Sequence, residues 1–175
     1  MKINKHSGNN AGSINKYFLI PCSGIHKIIP TSTPGKMRLI TFSGVAAIEI
    51  PLTIEKNTYS EKKIEDSQGI TYEVSSSGFI AGDSPELANA LGNLNDDYVL
   101  IYLDQDNNYK LIGNKQEPVN ISCSFTTGMT IAALKGSSFS FARKLISKPT
   151  HIQSPQSAGT GWAVYSQPPE GSAEE

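Results

Sequence analysis

The stretch Ser84-Pro85-Glu86-Leu87-Ala88-Asn89-Ala90-Leu91-Gly92-Asn93-Leu94, followed at once by Tyr98-Val99-Leu100-Ile101-Tyr102-Leu103, then Asp104-Gln105-Asp106-Asn107-Asn108, then Tyr109-Lys110-Leu111-Ile112-Gly113-Asn114, holds two periodicities side by side. At its start Ser84 can cap, Pro85 suits the first helical position and Glu86 answers the positive end of the dipole. Leu87, Leu91 and Leu94 then fall at spacings of four and three, which predicts a helix over 85–95 with one narrow apolar face. Gly92 weakens it, and a helix this short must pack on something else to be stable. From Tyr98 onward, apolar runs flank an Asp/Asn cluster on both sides, the pattern of a β-hairpin. A short helix packed beside strands is the local signature, and the question becomes how many strands surround it.

Working outward, strand patterns repeat on both sides. Tyr17 to Ile20, closed by Pro21, and Gly24 to Ile29, closed by Pro30, are apolar runs bounded by turn residues. Beyond the loop Thr31 to Gly35 come Arg38 to Phe42 and Ala46 to Leu52; Ile48, Ile50 and Leu52 share a face, and Pro51 argues for an edge. Thr53 to Gln68 is charged, with little apolar repeat, and reads as an exposed hairpin or mobile loop. Ile70, Tyr72 and Val74 alternate with polar neighbours in a strand to Ala81, with Gly78 marking a bend or bulge. Val119, Ile121, Cys123 and Phe125 line one face of another strand, and Ser137 to Ile146 carries Phe139 and Phe141. Met129, Ile131 and Leu134 fall in an irregular connection between these two. The predicted fold is mainly β: a β-sandwich or half-barrel with one short flanking helix. It is organised as a flexible N-terminal arm 1–15, a domain 16–148, and a C-terminal arm 149–175 in which Trp162, Val164 and Tyr165 form an apolar island that docks on its own domain or a neighbour.

Composition agrees. The 175 residues suit a single domain, and 38% hydrophobic against 18% charged residues can build a core. Twenty-one serines, 12 asparagines and 11 threonines disfavour helices and suit strands and turns. No run approaches the roughly 18 apolar residues of a membrane span, and Met1 to His6 leads into Ser, Gly and Asn instead of an apolar signal core, which predicts a protein made and kept in a cytoplasm. The net charge of −1 hides an asymmetry. Lys2, Lys5, Lys16, Lys27, Lys36 and Arg38 stand without an acid before Glu49, whereas Glu170, Glu174 and Glu175 stand without a base after Pro149. The basic end lacks the rhythmic aromatic partners of a nucleic-acid surface. Opposite ends of that kind are solvated arms, or they steer head-to-tail self-association.

Candidate chemical sites dissolve one by one. Asp104-x-Asp106-x-Asn108 copies the opening of a calcium loop, but Tyr109 occupies the position of the turn glycine and Lys115 that of the closing glutamate. The alternative is a turn held by Asx hydrogen bonds. Cys22 and His26 are four apart, a nucleophile and base only if the local geometry allows it. Cys22 and Cys123 are too distant in sequence for a CxxC pair and read as small reduced hydrophobes. His6 and His151 are scattered, without metal-ligand spacing. Gly159-Thr160-Gly161 lacks the strand and helix of a dinucleotide fingerprint. Asn120-Ile121-Ser122 matches a glycosylation acceptor but lies in a segment that reads as a buried strand. No catalytic, cofactor or metal residue is assigned.

The capped helix leading into an Asp/Asn hairpin, Gly82-Asp83-Ser84-Pro85-Glu86-Leu87 through Tyr109-Lys110-Leu111-Ile112-Gly113-Asn114, followed by Ser124-Phe125-Thr126-Thr127-Gly128 and Ser137-Ser138-Phe139-Ser140-Phe141, resembles bacteriophage tail tube proteins and their relatives in contractile injection machines. The resemblance covers about a third of the chain. It implies a non-enzymatic virion subunit, without cofactor, assembled in the host cytoplasm. Its partners would be itself, as hexameric rings stacked head-to-tail around an inner β-barrel, other tail or connector proteins, and DNA passing without specific contact. A tail terminator, a head-tail connector or a ligand-binding β-sandwich are the alternatives. Physics favours assembly independently, because an unpaired sheet edge is an association surface unless blunted. Thr71, Glu73, Ser75, Ser122 and Ser124 are the expected polar lining of the lumen, and the charged segment from Thr53 to Gln68 the expected contact with the next ring.

Overall fold

A computed structural model describes residues 14–32, 35–42, 45, 47–53, 56–94, 97–127, 135–153 and 163–165. Its elements in chain order are β1 (Ile14–Pro21), β2 (Ile25–Pro30), β3 (Lys36–Phe42), β4 (Ile48–Pro51), β5 (Thr58–Asp66), β6 (Gly69–Ala81), α1 (Pro85–Gly92), β7 (Tyr98–Asp104), β8 (Tyr109–Ile112), β9 (Ser122–Thr126), β10 (Gly136–Leu145), β11 (Thr150–Ile152) and β12 (Ala163–Tyr165). The smaller sheet has the order β5-β6-β10-β9 and is antiparallel throughout. The larger has eight strands. Met37 pairs with Pro30 on β2 and with Ile152 on β11, while Ile40 pairs with Lys27 on β2 and Ala163 on β12. β11 and β12 therefore follow one another along one edge of β3, both parallel to it, and β2 takes the other edge.

The connection from β1 to β2 forces the larger sheet to curl. Only the turn Cys22–Gly24 separates them in sequence, yet the pairing path from β1 to β2 runs through β7, β8, β11 and β3. Five inter-strand steps in a flat sheet would span about 24 Å, while four residue steps from Pro21 to Ile25 reach about 14 Å at most. Curling gives the central strands two buried faces. Tyr17, Leu19, Tyr98, Leu100 and Ile112 face a core shared with Val74, Phe139, Phe141 and Leu145 of the smaller sheet. Ile20, Val99, Ile101 and Leu111 face a second core with Ile25, Leu39 and Ile152, inside the curl. The unbroken apolar run of β7 follows from this: a strand covered on both sides has no polar face to alternate.

The two sheets are joined by specific polar contacts as well as by packing. The Tyr17 hydroxyl pairs with the Ser76 hydroxyl, and the Tyr17 ring meets Phe139 edge-on at 5.2 Å. At the open side, Lys110 of β8 forms an ion pair with Glu61 of β5, the two side chains 15% and 16% exposed. The Tyr59 and Tyr102 rings pack beside it with centroids 4.8 Å apart. The helix α1 lies against the first core through Leu91, and Leu94, two residues past its end, packs on the same core; the side chain of Leu87 is outside the described residues.

The mainly-β architecture with one short flanking helix is as expected, but several boundaries move. The helix ends at Gly92 rather than at residue 95, at its weakest helix former. Ile14 and Asn15, placed by sequence in the arm 1–15, begin β1, where Ile14 is buried. Residues 150–152 and 163–165, placed in the arm 149–175, are strands of the larger sheet; their pairing to β3 is parallel and distant in sequence, which no local pattern reveals. The charged segment contains a nine-residue strand, β5, hairpinned to β6. The segment from Val119 to Phe125 is not one strand. Val119 bridges Tyr98 in the larger sheet, whereas Ser122 onward pairs with β10 in the smaller, so its alternation spans a crossing between layers. Gly78 is not a bulge, because the β6–β10 register runs through it unbroken and the Phe139 ring lies where its side chain would be. The rest of the N-terminal arm with His6, the connection holding Met129, Ile131 and Leu134, Gly159 to Gly161, Trp162 and the terminal acids lie outside the described residues.

Candidate functional site

Asp104, Asn108 and Cys22, singled out by spacing, make contacts that hold local structure. In the β7–β8 turn, Asp104 Oδ1 accepts the Asn108 backbone N–H at 2.8 Å and Asp104 Oδ2 the Asn108 side-chain amide at 3.3 Å. Asn107 adopts a left-handed φ of 60°, as a tight turn demands. The loop is thus an Asx-type turn, its first carboxylate occupied by the turn itself. The Cys22 thiol approaches the Asn114 carbonyl at 3.8 Å. Burial and the Asp97 carboxylate raise its pKa against opposing pulls from Lys115 and Arg143, which disfavours the thiolate a nucleophile requires. Burial raises the Cys123 thiol too. His151 sits on β11, its pKa lowered by burial and by neighbouring Lys110. Asn120 is exposed, not buried in a strand, and its side-chain oxygen accepts from Arg143 at 3.2 Å.

What the sheet does bring together is hydroxyl groups. Register places Thr58, Ser77, Ser140 and Ser122 opposite one another across all four strands of the smaller sheet, on the face turned away from the first core. Neighbouring rows on that face hold Ser60 with Ser75, and Ser138 with Ser124. Further along lies Lys62 with Glu73 and Lys144. Thr71, Glu73, Ser75, Ser122 and Ser124, chosen as a polar set from sequence, all fall here. Thr58, Ser77 and Ser140 were missed because Thr58 lies in the segment that reads as charged loop and cross-strand partners are non-local; the alternation of Ser138 and Ser140 with Phe139 and Phe141 was the available signal.

The edges of this sheet differ in character. β5 carries Glu61, Lys62, Lys63, Glu65 and Asp66, of which Glu61 pairs with Lys110, Lys63 with Glu65 and Asp66 with Lys144. β9, Ser122-Cys123-Ser124-Phe125-Thr126, has neither charge nor proline, and every residue of it is exposed, Phe125 by 49%. Natural edges are usually blunted by charge, proline or shortness. In the larger sheet, β4 ends in Pro51 and β2 carries Lys27 and Pro30. β12, at the other end of that sheet, also lacks charge and proline but is only three residues long, so among the described edge strands of four residues or more β9 is the one with no such protection.

A second surface lies at the mouth of the curl. A cleft of about 450 Å³ opens between β2 and the loops that follow β8 and β10. Its floor is Ile28, Met37 and Leu111 and its rim carries His26, Lys27, Lys115 and Lys148. Lys115 Nζ reaches the Ile25 carbonyl at 3.1 Å. The nearby loops are clamped by Glu117, which accepts the backbone N–H groups of Ile146 at 2.5 Å and Ser147 at 3.0 Å. Partial burial opposes its ionisation, but these hydrogen bonds and those from Ser147 and Asn114 side chains prevail, lowering its pKa.

Set beside known proteins, the chain finds no match among family models, curated proteins or solved structures. The surfaces themselves carry the functional reading.

Proposed function

We propose that the protein is a structural, non-enzymatic virion subunit that self-assembles edge to edge into stacked hexameric rings forming a phage tail tube for DNA passage. The observation that supports this reading is the smaller sheet, a four-stranded surface with hydroxyl rows on its free face and an unblunted edge at β9. In the proposed ring, β9 of one subunit pairs with β5 of the next, whose first residues Thr58, Tyr59 and Ser60 are uncharged. Six such sheets close a continuous barrel on the order of 45 Å across between its walls. Phosphate affinity comes chiefly from Lys and Arg; the central rows of neutral hydroxyls carry neither, and the two lysines further along the face, Lys62 and Lys144, flank Glu73.

Negative-stain microscopy and light scattering of the purified chain over a concentration series test the proposal. Rings or tubes are expected, and a reconstruction of them should place Ser75, Ser122 and Ser124 on the inner wall. A chain that stays monomeric at high concentration, or assemblies with those residues on the outer wall, would overturn it.

A further inference from the structure

We infer that the cationic cleft at the mouth of the curl is the dock for the chain's own acidic segment 166–175, Ser-Gln-Pro-Pro-Glu-Gly-Ser-Ala-Glu-Glu. Three observations converge on this occupant. The first is charge: Lys27, Lys115 and Lys148 line the cleft, and no carboxylate is among the described residues that do. The segment carries Glu170, Glu174 and Glu175 and no basic residue.

The second is position. Thr41 pairs on one side with Ile25, which lines the cleft, and on the other with Val164. Val164 thus lies two strand spacings, about 10 Å, from Ile25 in the wall of the cleft. Ten residues beyond Tyr165 extend up to about 33 Å, enough to cross the lip and traverse the cleft.

The third is shape and polarity. The floor of Ile28, Met37 and Leu111 is apolar beneath a charged rim. Pro168-Pro169 supplies an extended, preorganised apolar element directly before the first glutamate. Prolines on the floor and glutamates at the lysines would satisfy both the floor and the rim. Tethering favours the same chain over a neighbour, since a short linker gives an effective concentration in the millimolar range. The contact lies within one chain and does not depend on ring formation.

Carbodiimide cross-linking of the full chain, prepared as an equal mixture of ordinary and nitrogen-15-labelled protein and read by mass spectrometry, tests it. Amide links from Lys115 or Lys148 to Glu170, Glu174 or Glu175 are expected, in all-light or all-heavy pairs, at roughly tenfold the yield of links to Lys62 or Lys63 on β5. The substitutions Lys115→Glu and Lys148→Glu should abolish these links, and adding Glu174→Lys and Glu175→Lys should restore them with the partners exchanged. The exchanged chain carries the same total charge as the original, so recovery there shows that the loss was not unfolding. Links spread evenly over all exposed lysines would overturn the dock. Mixed light–heavy pairs at the statistical share would overturn its assignment to the same chain.

Discussion

At Gly78 the side chain that is missing matters more than any that is present. A Cβ added there would stand 2.4 Å from Cζ of Phe139, the residue opposite it on β10. Phe139 is 2% exposed and packs edge-on against Tyr17, so its ring has little room to retreat. Gly78→Ala should therefore cost about 1–3 kcal/mol in urea unfolding, the usual range for overpacking. In a Phe139→Leu background, where the obstructing ring is gone, the same substitution should cost distinctly less, and equal costs in the two backgrounds would show that the ring is not the obstacle. The inter-sheet phenols give a second residue-level expectation. Burial, with help from neighbouring phenols and carboxylates, raises the pKa of Tyr17 and Tyr59 well above the ordinary tyrosine value and pushes that of Tyr102 up to about 12. A folded pKa above the unfolded one means stability that is complete below the unfolded value of about 10 and declines as pH rises through the folded ones. Denaturant midpoints should fall above pH 10, and phenolate absorbance should show a group of tyrosines ionising only as the chain unfolds. A Tyr59→Phe chain should show a shallower alkaline decline.

Among elements, β5 shows how a strand escapes notice and how it is held. Its pattern, Thr-Tyr-Ser-Glu-Lys-Lys-Ile-Glu-Asp, has almost no apolar alternation, because it is an edge strand whose inward positions include Glu61 rather than an aliphatic residue. The charge that hides it also binds it, through the nearly buried pair with Lys110 of β8. Removing one member leaves the other charge poorly solvated, so Lys110→Met or Glu61→Leu alone should cost on the order of 2–4 kcal/mol, while the double replacement should recover most of that loss. Additive losses in that cycle would place both groups in water. Elsewhere the elements most visible in sequence were those with local rules: the Ser84-Pro85 helix start, the Asp104 to Asn108 turn and the continuous run of β7. β11 and β12 were invisible because three residues each, paired in parallel to a strand more than a hundred positions earlier, leave no periodic trace. The division between Val119 and β9 was hidden because two layers happened to share one alternation.

For the whole molecule, the residues that stabilise the fold are distinct from those that would join subunits in the proposed ring. Both cores are enclosed within one chain, so the described fold does not require a neighbour to bury its apolar interior. The polar residues that sequence singled out lie on one surface, but the uncharged β9 edge beside them is legible only from the strand order, in which β9 ends the sheet. Phe125 points to the inward side of that edge, opposite Ser137 on β10, where it lines a cleft beside α1 with Lys135 Nζ 6.0 Å from its ring centroid, yet it stays half exposed. An inward-pointing charge at an edge strand is a device that natural sheets use to prevent strand addition. Phe125→Lys should consequently abolish rings or tubes in microscopy and hold the chain to a monomeric mass in light scattering. Because the position is half in water already, its denaturation midpoint should change by no more than about 1 kcal/mol equivalent. A matched charge on the free face, Ser75→Lys, leaves both edges unaltered and should preserve assembly. If Phe125→Lys assembles as the unaltered chain does, β9 is not the growing edge, and the ring would have to close through the larger sheet instead.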